Sequence, residues 1–186
     1  MKLMNKKHLT YILVFLLSLS PVHGQFLEVD RDKYIEWSDT LYLRWSDYVL
    51  RSVANKNQSS ALTSVFHSVR GGMKNGQPNF QVKVLFVKED SWTTDDQSLP
   101  LLAHEKLHFD LAELYGRKIR RQIALLGKDG TTDLAVYKRY IKYLLNEFKK
   151  VSTDYDKETR YGNLASQQEK WLNYVSNELK RLHEYM

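Results

Sequence analysis

From Leu101 through Leu126 apolar residues recur at helical spacing until Gly127 ends the run, and no other feature of the chain constrains its fold as strongly. Ser98 is placed to cap such a helix, and Pro100 suits its first turn. A second helix is expected from Thr132 or Asp133, turning Val136, Tyr140, Leu144, Phe148 and Val151 inward. The segment Thr159 to Asn163 breaks it, and a third helix from about Ala165 to Leu182 turns Trp171, Val175, Leu179 and Leu182 inward.

The first half is patterned differently. Thr40 to Trp45 and Thr63 to Val69 alternate apolar and polar residues, and Phe80 to Val87 is rich in β-branched residues, so all three read as strands. The glycines, asparagines and proline between Gly71 and Asn79 signal the turn of an antiparallel hairpin. Strands first and helices after give an α+β domain: a small antiparallel sheet followed by about three helices.

Lys2, Lys6 and Lys7 precede a short apolar core from Tyr11 to Leu19, with Val22 and Gly24 as the small residues before a cleavage point. Residues 1–24 therefore read as a signal peptide and residues 25–186 as a single domain, exported to the periplasm or the medium, with no stable membrane anchor after cleavage. The chain has no cysteine, so core packing, with or without a metal, must replace disulfides. Three of the formal charges in a net +6 belong to the signal lysines. The remaining basic residues are interspersed with acids, as in Lys138, Arg139, Lys142, Glu147, Lys149 and Lys150, the pattern of a solvated surface and not of a nucleic-acid groove.

His104-Glu105-Lys106-Leu107-His108 is an H-E-x-x-H sequence. Residues four apart share one face of a helix, so the two imidazoles can bind one zinc ion. Glu105 is then placed to take the proton of a water in the open coordination position, as general base for amide hydrolysis. At about 100° per residue, Lys106, Asp110, Glu113, Arg117, Arg120 and Arg121 gather on one side as a solvent face. Leu107, Leu111, Leu114, Tyr115, Ile119 and Ile123 form the opposite side, and His104, Glu105 and His108 fall within it. The motif points inward, where an unpaired carboxylate is costly and a metal or its water compensates. The plain alternative is two satisfied core histidines, with Glu105 paired to an arginine. Asp110 and Glu113 face away and are not expected to be ligands.

The run Leu101 to Tyr115, followed by Arg117 and Arg120, resembles a family of exported bacterial proteins, domain of unknown function nine hundred and twenty-two, described as predicted zinc-dependent proteases. Leu43-Arg44-Trp45-Ser46-Asp47, the pair Ser91-Trp92, and Gln168 and Trp171 downstream extend the resemblance over most of residues 25–186. It implies a zincin-like metallopeptidase domain with the metal motif on the first long helix. The stretch Tyr155-Asp156-Lys157-Glu158-Thr159-Arg160-Tyr161-Gly162 is similar to a family segment whose histidine, the natural third ligand, is here Tyr161. A catalytic zinc needs three protein ligands plus water. Tyr161 as a phenolate is the first candidate by position, Asp156 or Glu158 supplies a carboxylate instead, and His67 and His183 are the other histidines of residues 25–186.

Two functions follow. One is an exported zinc hydrolase, a peptidase with Glu105 as base, His104 and His108 as ligands, and peptide or protein as substrate. The other is a non-catalytic exported binding protein whose zinc site has degenerated through the change at Tyr161. Trp37, Trp45, Trp92 and Trp171 either line a cleft or pack in the core, and Phe80 to Val87 offers a strand edge to a peptide.

Overall fold

The computed structural model describes residues 29–52 and 60–186. The signal-peptide reading of residues 1–24 lies outside them. Six strands precede three helices: β1 (Tyr34–Glu36), β2 (Val49–Leu50), β3 (Ala61–Leu62), β4 (Val65–Lys74), β5 (Gln77–Val87), β6 (Trp92–Thr93), α1 (Leu99–Lys128), α2 (Leu134–Thr159) and α3 (Ala165–Arg181). The architecture is α+β, as the order of patterns requires. One antiparallel sheet runs β1-β5-β4; a second, smaller sheet runs β2-β6-β3, with β2 parallel and β3 antiparallel to β6.

The expected hairpin is β4–β5, paired from Val65↔Phe86 to Lys74↔Gln77. Its turn is much tighter than the run of turn-forming residues suggests. Asn75 and Gly76 alone make it, both with positive φ (52° and 76°), the backbone of a two-residue turn whose twist matches the strands. Gly71 to Lys74 and Gln77 to Asn79 continue the ladder instead.

Thr40 to Trp45 is not a strand. It runs as turn and irregular chain into a short 3-10 turn at Trp45–Asp47. Its apolar residues serve another purpose: Leu43 is buried in the core, and the Trp45 indole N–H donates to Ser98 O at the start of α1 (3.2 Å). Alternation here marks a segment packed on a helix end and not a strand paired in a sheet.

Helix α1 starts as its sequence dictates, with Ser98 Oγ accepting from the Leu101 N–H and Pro100 in the first turn. It is the hub of the fold, packing on β4, β5, α2, α3 and the C-terminal turn. Gly116 permits the close crossing over β5, because a Cβ there would lie 2.6 Å from Val84 Cγ2. Around it Phe86, Phe109, Leu111, Leu114, Phe148 and Tyr155 form the main core, and Val82, Ile119, Tyr137 and Ile141 a second cluster toward the helix C-terminus.

Because elements surround α1, its expected solvent face is largely covered. Glu113 (2 % exposed) and Arg117 are buried, and Asp110 accepts from the Trp37 indole (2.9 Å) and from Lys106 Nζ (2.8 Å). Glu113 Oε1 accepts from Arg117 Nε (3.0 Å) and Arg120 Nη1 (2.9 Å). The two guanidiniums also donate to Leu179 O, Tyr185 O and Val82 O, tying the C-terminal turn and β5 to α1. A helical wheel sees neither these covering elements nor charges satisfying one another.

On α2 the inward stripe is Tyr137, Ile141, Leu145, Phe148, Ser152, Tyr155 and Thr159. Of the residues expected inward only Phe148 is fully buried, and Tyr140 is exposed. The true stripe carries polar residues, which hide it from a search for apolar periodicity. On α3 Val175 is buried, Trp171 and Leu179 are partly so, and Leu182 follows in the core. No helix among the described residues is long and apolar enough to cross a membrane.

Candidate metal centre

Four residues apart on α1, His104 and His108 project from one face and both are buried, as the motif spacing dictates. Helix α2 passes in front of them and contributes Asp156. A single carboxylate oxygen, Oδ1, lies 3.2 Å from His104 Nε2 and 3.0 Å from His108 Nε2. His104, His108 and Asp156 form a group whose donor atoms all lie within 4.8 Å of one another. The oxygen that joins the two imidazoles thus comes from the Asp156 carboxylate.

This geometry fits a metal ion. Two imidazole nitrogens and one carboxylate oxygen are a donor set that zinc uses when it keeps an open position. With bonds of about 2.0 Å, ligand atoms at two corners of a tetrahedron stand about 3.3 Å apart. The nitrogen–oxygen separations of 3.0 and 3.2 Å are close to that edge.

The rings are held from behind. His104 Nδ1 lies 3.1 Å from Gln168 Oε1 on α3, and His108 Nδ1 lies 3.2 Å from Ser152 Oγ on α2. Tyr155 stacks on the His104 ring (centroids 4.6 Å apart, 23° between planes), and its hydroxyl reaches both His104 O (3.1 Å) and Gln168 Oε1 (2.8 Å). The backbone of Gly162, at φ 80°, closes on the same ring: a Cβ there would stand 3.0 Å from His104 Cβ and Cγ.

Burial disfavours the charged form of Asp156, but hydrogen bonds from His104 and His108 outweigh it and hold the carboxyl well below the usual range. Burial likewise opposes charge on His108, yet the hydrogen bond and charge of Asp156, aided by Glu105, raise its pKa. The group is therefore a pair of imidazoles facing a carboxylate that stays ionised.

Glu105 is 5 % exposed, and its carboxylate has no hydrogen-bond or ion-pair partner among the described residues. Its charge helps to raise the pKa of His108 and, after burial, those of Tyr48 and Tyr155. Among the described residues no arginine pairs with it, unlike the plain alternative of a glutamate paired to an arginine.

Of the other candidates, Glu158, His67 and His183 fall outside this group, and Tyr161 follows the end of α2. Tyr161 sits in the left-handed turn after α2 (φ 57°), its N–H donating to Asp156 O and its side chain 37 % exposed. Glu158 is exposed and accepts from the Trp171 indole (2.9 Å). His67 is buried against Phe148, its Nε2–H donating to Ala112 O (2.8 Å), and burial lowers its pKa to about 4. His183 is exposed beside Lys180 O. Ser152, Tyr155 and the packing role of Gly162 were not singled out from sequence. The available signal was polar residues at Ser152, Tyr155, Asp156 and Thr159, at three- and four-residue spacing, continuing the inward side of α2.

Comparison with protein-family models, with curated proteins and with solved structures finds no match to this chain.

Proposed function

We propose that this chain is a zinc-dependent hydrolase that cleaves peptide bonds, with His104, His108 and Asp156 as metal ligands and Glu105 as general base. The observation that carries the reading is the buried pair His104 and His108 facing the Asp156 carboxylate, their donor atoms all within 4.8 Å of one another, with Glu105, 5 % exposed, next to His104 in the chain. His104, His108 and Asp156 would hold the zinc, which when bound would supply polarisation of a carbonyl and a water whose pKa lies nearer neutrality.

The residues divide the remaining work. His104 and His108 present Nε2, Asp156 supplies a carboxylate that stays ionised, and Glu105 takes a proton from water and passes it to the departing amine. With Asp156 as third ligand, the absence of a histidine at Tyr161 does not leave the donor set short, which favours the enzyme over the degenerate binding protein. The resemblance of the Leu101–Tyr115 run to exported predicted zinc proteases supports the same activity. The basic, then apolar, first residues support a place of action outside the cytoplasm.

Glu105→Gln tests the assignment. It should retain zinc, since no ligand changes, while cleavage of a peptide library falls by roughly 10²–10⁴. Parent-level cleavage by that variant rejects Glu105 as base. A parent that holds zinc and cleaves no peptide returns the binding-protein reading.

A further inference from the structure

Behind each imidazole stands a group that can either donate or accept a hydrogen bond. Gln168 presents an amide to His104 Nδ1, and Ser152 a hydroxyl to His108 Nδ1. Amide oxygen and nitrogen are nearly the same size, so the position assigned to Gln168 Oε1 accommodates Nε2 equally well. A hydroxyl needs only to rotate. The other nitrogen of each ring meets Asp156 Oδ1, which only accepts while ionised.

Two complete proton arrangements satisfy this set. In the first, both Nε2–H groups donate to Asp156 Oδ1, both Nδ1 atoms are bare, and the Gln168 amide N–H and the Ser152 O–H donate to them. The second N–H of the amide then reaches the Tyr155 oxygen, while the Tyr155 proton goes to His104 O. In the second, both Nε2 atoms are bare for a metal ion, and both Nδ1–H groups donate, to Gln168 Oε1 and Ser152 Oγ. Neither arrangement leaves a buried nitrogen of these rings unpaired, an omission that would cost about 1–3 kcal/mol.

We propose that Gln168 and Ser152 are positioning residues that turn with the metal, the amide flipping and the hydroxyl rotating as the ring proton moves from Nε2 to Nδ1. The inference rests on the metal reading above and goes beyond it by assigning both residues a role in choosing the tautomer. An acceptor alone, such as a carboxylate, would hold a proton on His104 Nδ1 while Asp156 keeps one on Nε2; an apolar side chain would select neither. Only the amide at residue 168 is at rest in both.

The test is a long-range 1H–15N spectrum of the 15N-histidine-labelled protein, first with chelator and then with one equivalent of zinc. His104 and His108 are expected to change from Nε2–H to Nδ1–H on zinc addition. In Gln168→Glu, His104 should already carry Nδ1–H in chelator. In Gln168→Met, zinc affinity should fall roughly 10–100-fold. A parent that binds zinc with His104 in one tautomer throughout overturns the inference and leaves the metal reading standing. So does a Gln168→Glu variant whose His104 matches the parent in chelator. A parent that binds no zinc overturns both.

Discussion

Replacing Gly162 by alanine perturbs the candidate metal centre without replacing any proposed ligand, and Gly130 provides its control. Both glycines have left-handed backbone, φ 80° and 71°, so each substitution incurs the same conformational penalty of roughly 1–2 kcal/mol. Their surroundings differ. A Cβ at Gly130 meets nothing within 4 Å, whereas one at Gly162 stands 3.0 Å from His104 Cβ and Cγ and 3.4 Å from Nδ1. Carbon atoms at van der Waals contact lie about 3.5–4.0 Å apart, so His104 must give by a few tenths of an ångström. Tyr155 blocks retreat on its stacked face. Forcing a methyl into such a packed position adds about 1–3 kcal/mol to the backbone penalty and displaces a ligand. Urea unfolding in chelator should therefore show Gly162→Ala destabilised by about 2–5 kcal/mol and Gly130→Ala by about 1–2. Competition with a chromophoric chelator should show zinc affinity at least tenfold weaker in Gly162→Ala and unchanged in Gly130→Ala. Equal destabilisation with parent-like zinc affinity in both would refute the contact between Gly162 and His104 as a determinant of the site.

Two further perturbations test other parts of the fold. His67 titrates near pH 6.5 when unfolded and near pH 4 when folded, so the unfolded chain takes up a proton first and stability falls as pH drops through that window. The loss should reach about 3 kcal/mol, and urea unfolding at several pH values should find the slope flattened in His67→Gln. His108 acts in the opposite sense: its raised pKa gives stability that is complete below pH 6.5 and lost as pH rises through the raised value. A parent and His67→Gln with identical profiles below pH 6.5 would contradict the assignment. Glu113→Ala leaves Arg117 and Arg120 without their shared carboxylate and should cost about 3 kcal/mol in urea unfolding, with zinc per folded chain unchanged. A loss under 1 kcal/mol would show that the guanidiniums need only their carbonyl partners.

The parts of this molecule legible in its sequence are those governed by local geometry. Ser98 and Pro100 begin α1 as expected, and the spacing of His104 and His108 places both on one inward face beside Glu105. What escaped the sequence depends on chain segments that meet only after folding. Glu113 and Arg117 read as surface residues because nothing in α1 itself announces that Trp37 and the end of α3 will cover them. Asp156 stood among several acids downstream, and only the crossing of α2 over α1 selects it from Glu158, which turns to Trp171. Thr40 to Trp45 alternates like a strand because it lays apolar residues against the core and the start of α1, a use of alternation that sequence cannot separate from pairing.

The central claim is that Asp156 completes the metal site. Elemental analysis of the purified protein and of His104→Ala, Asp156→Ala and Tyr161→Phe tests it most directly. The account predicts about one zinc per chain in the parent and in Tyr161→Phe, and little in the other two. Zinc retained by Asp156→Ala and lost from Tyr161→Phe would contradict it, as would a parent that takes up none when zinc is supplied.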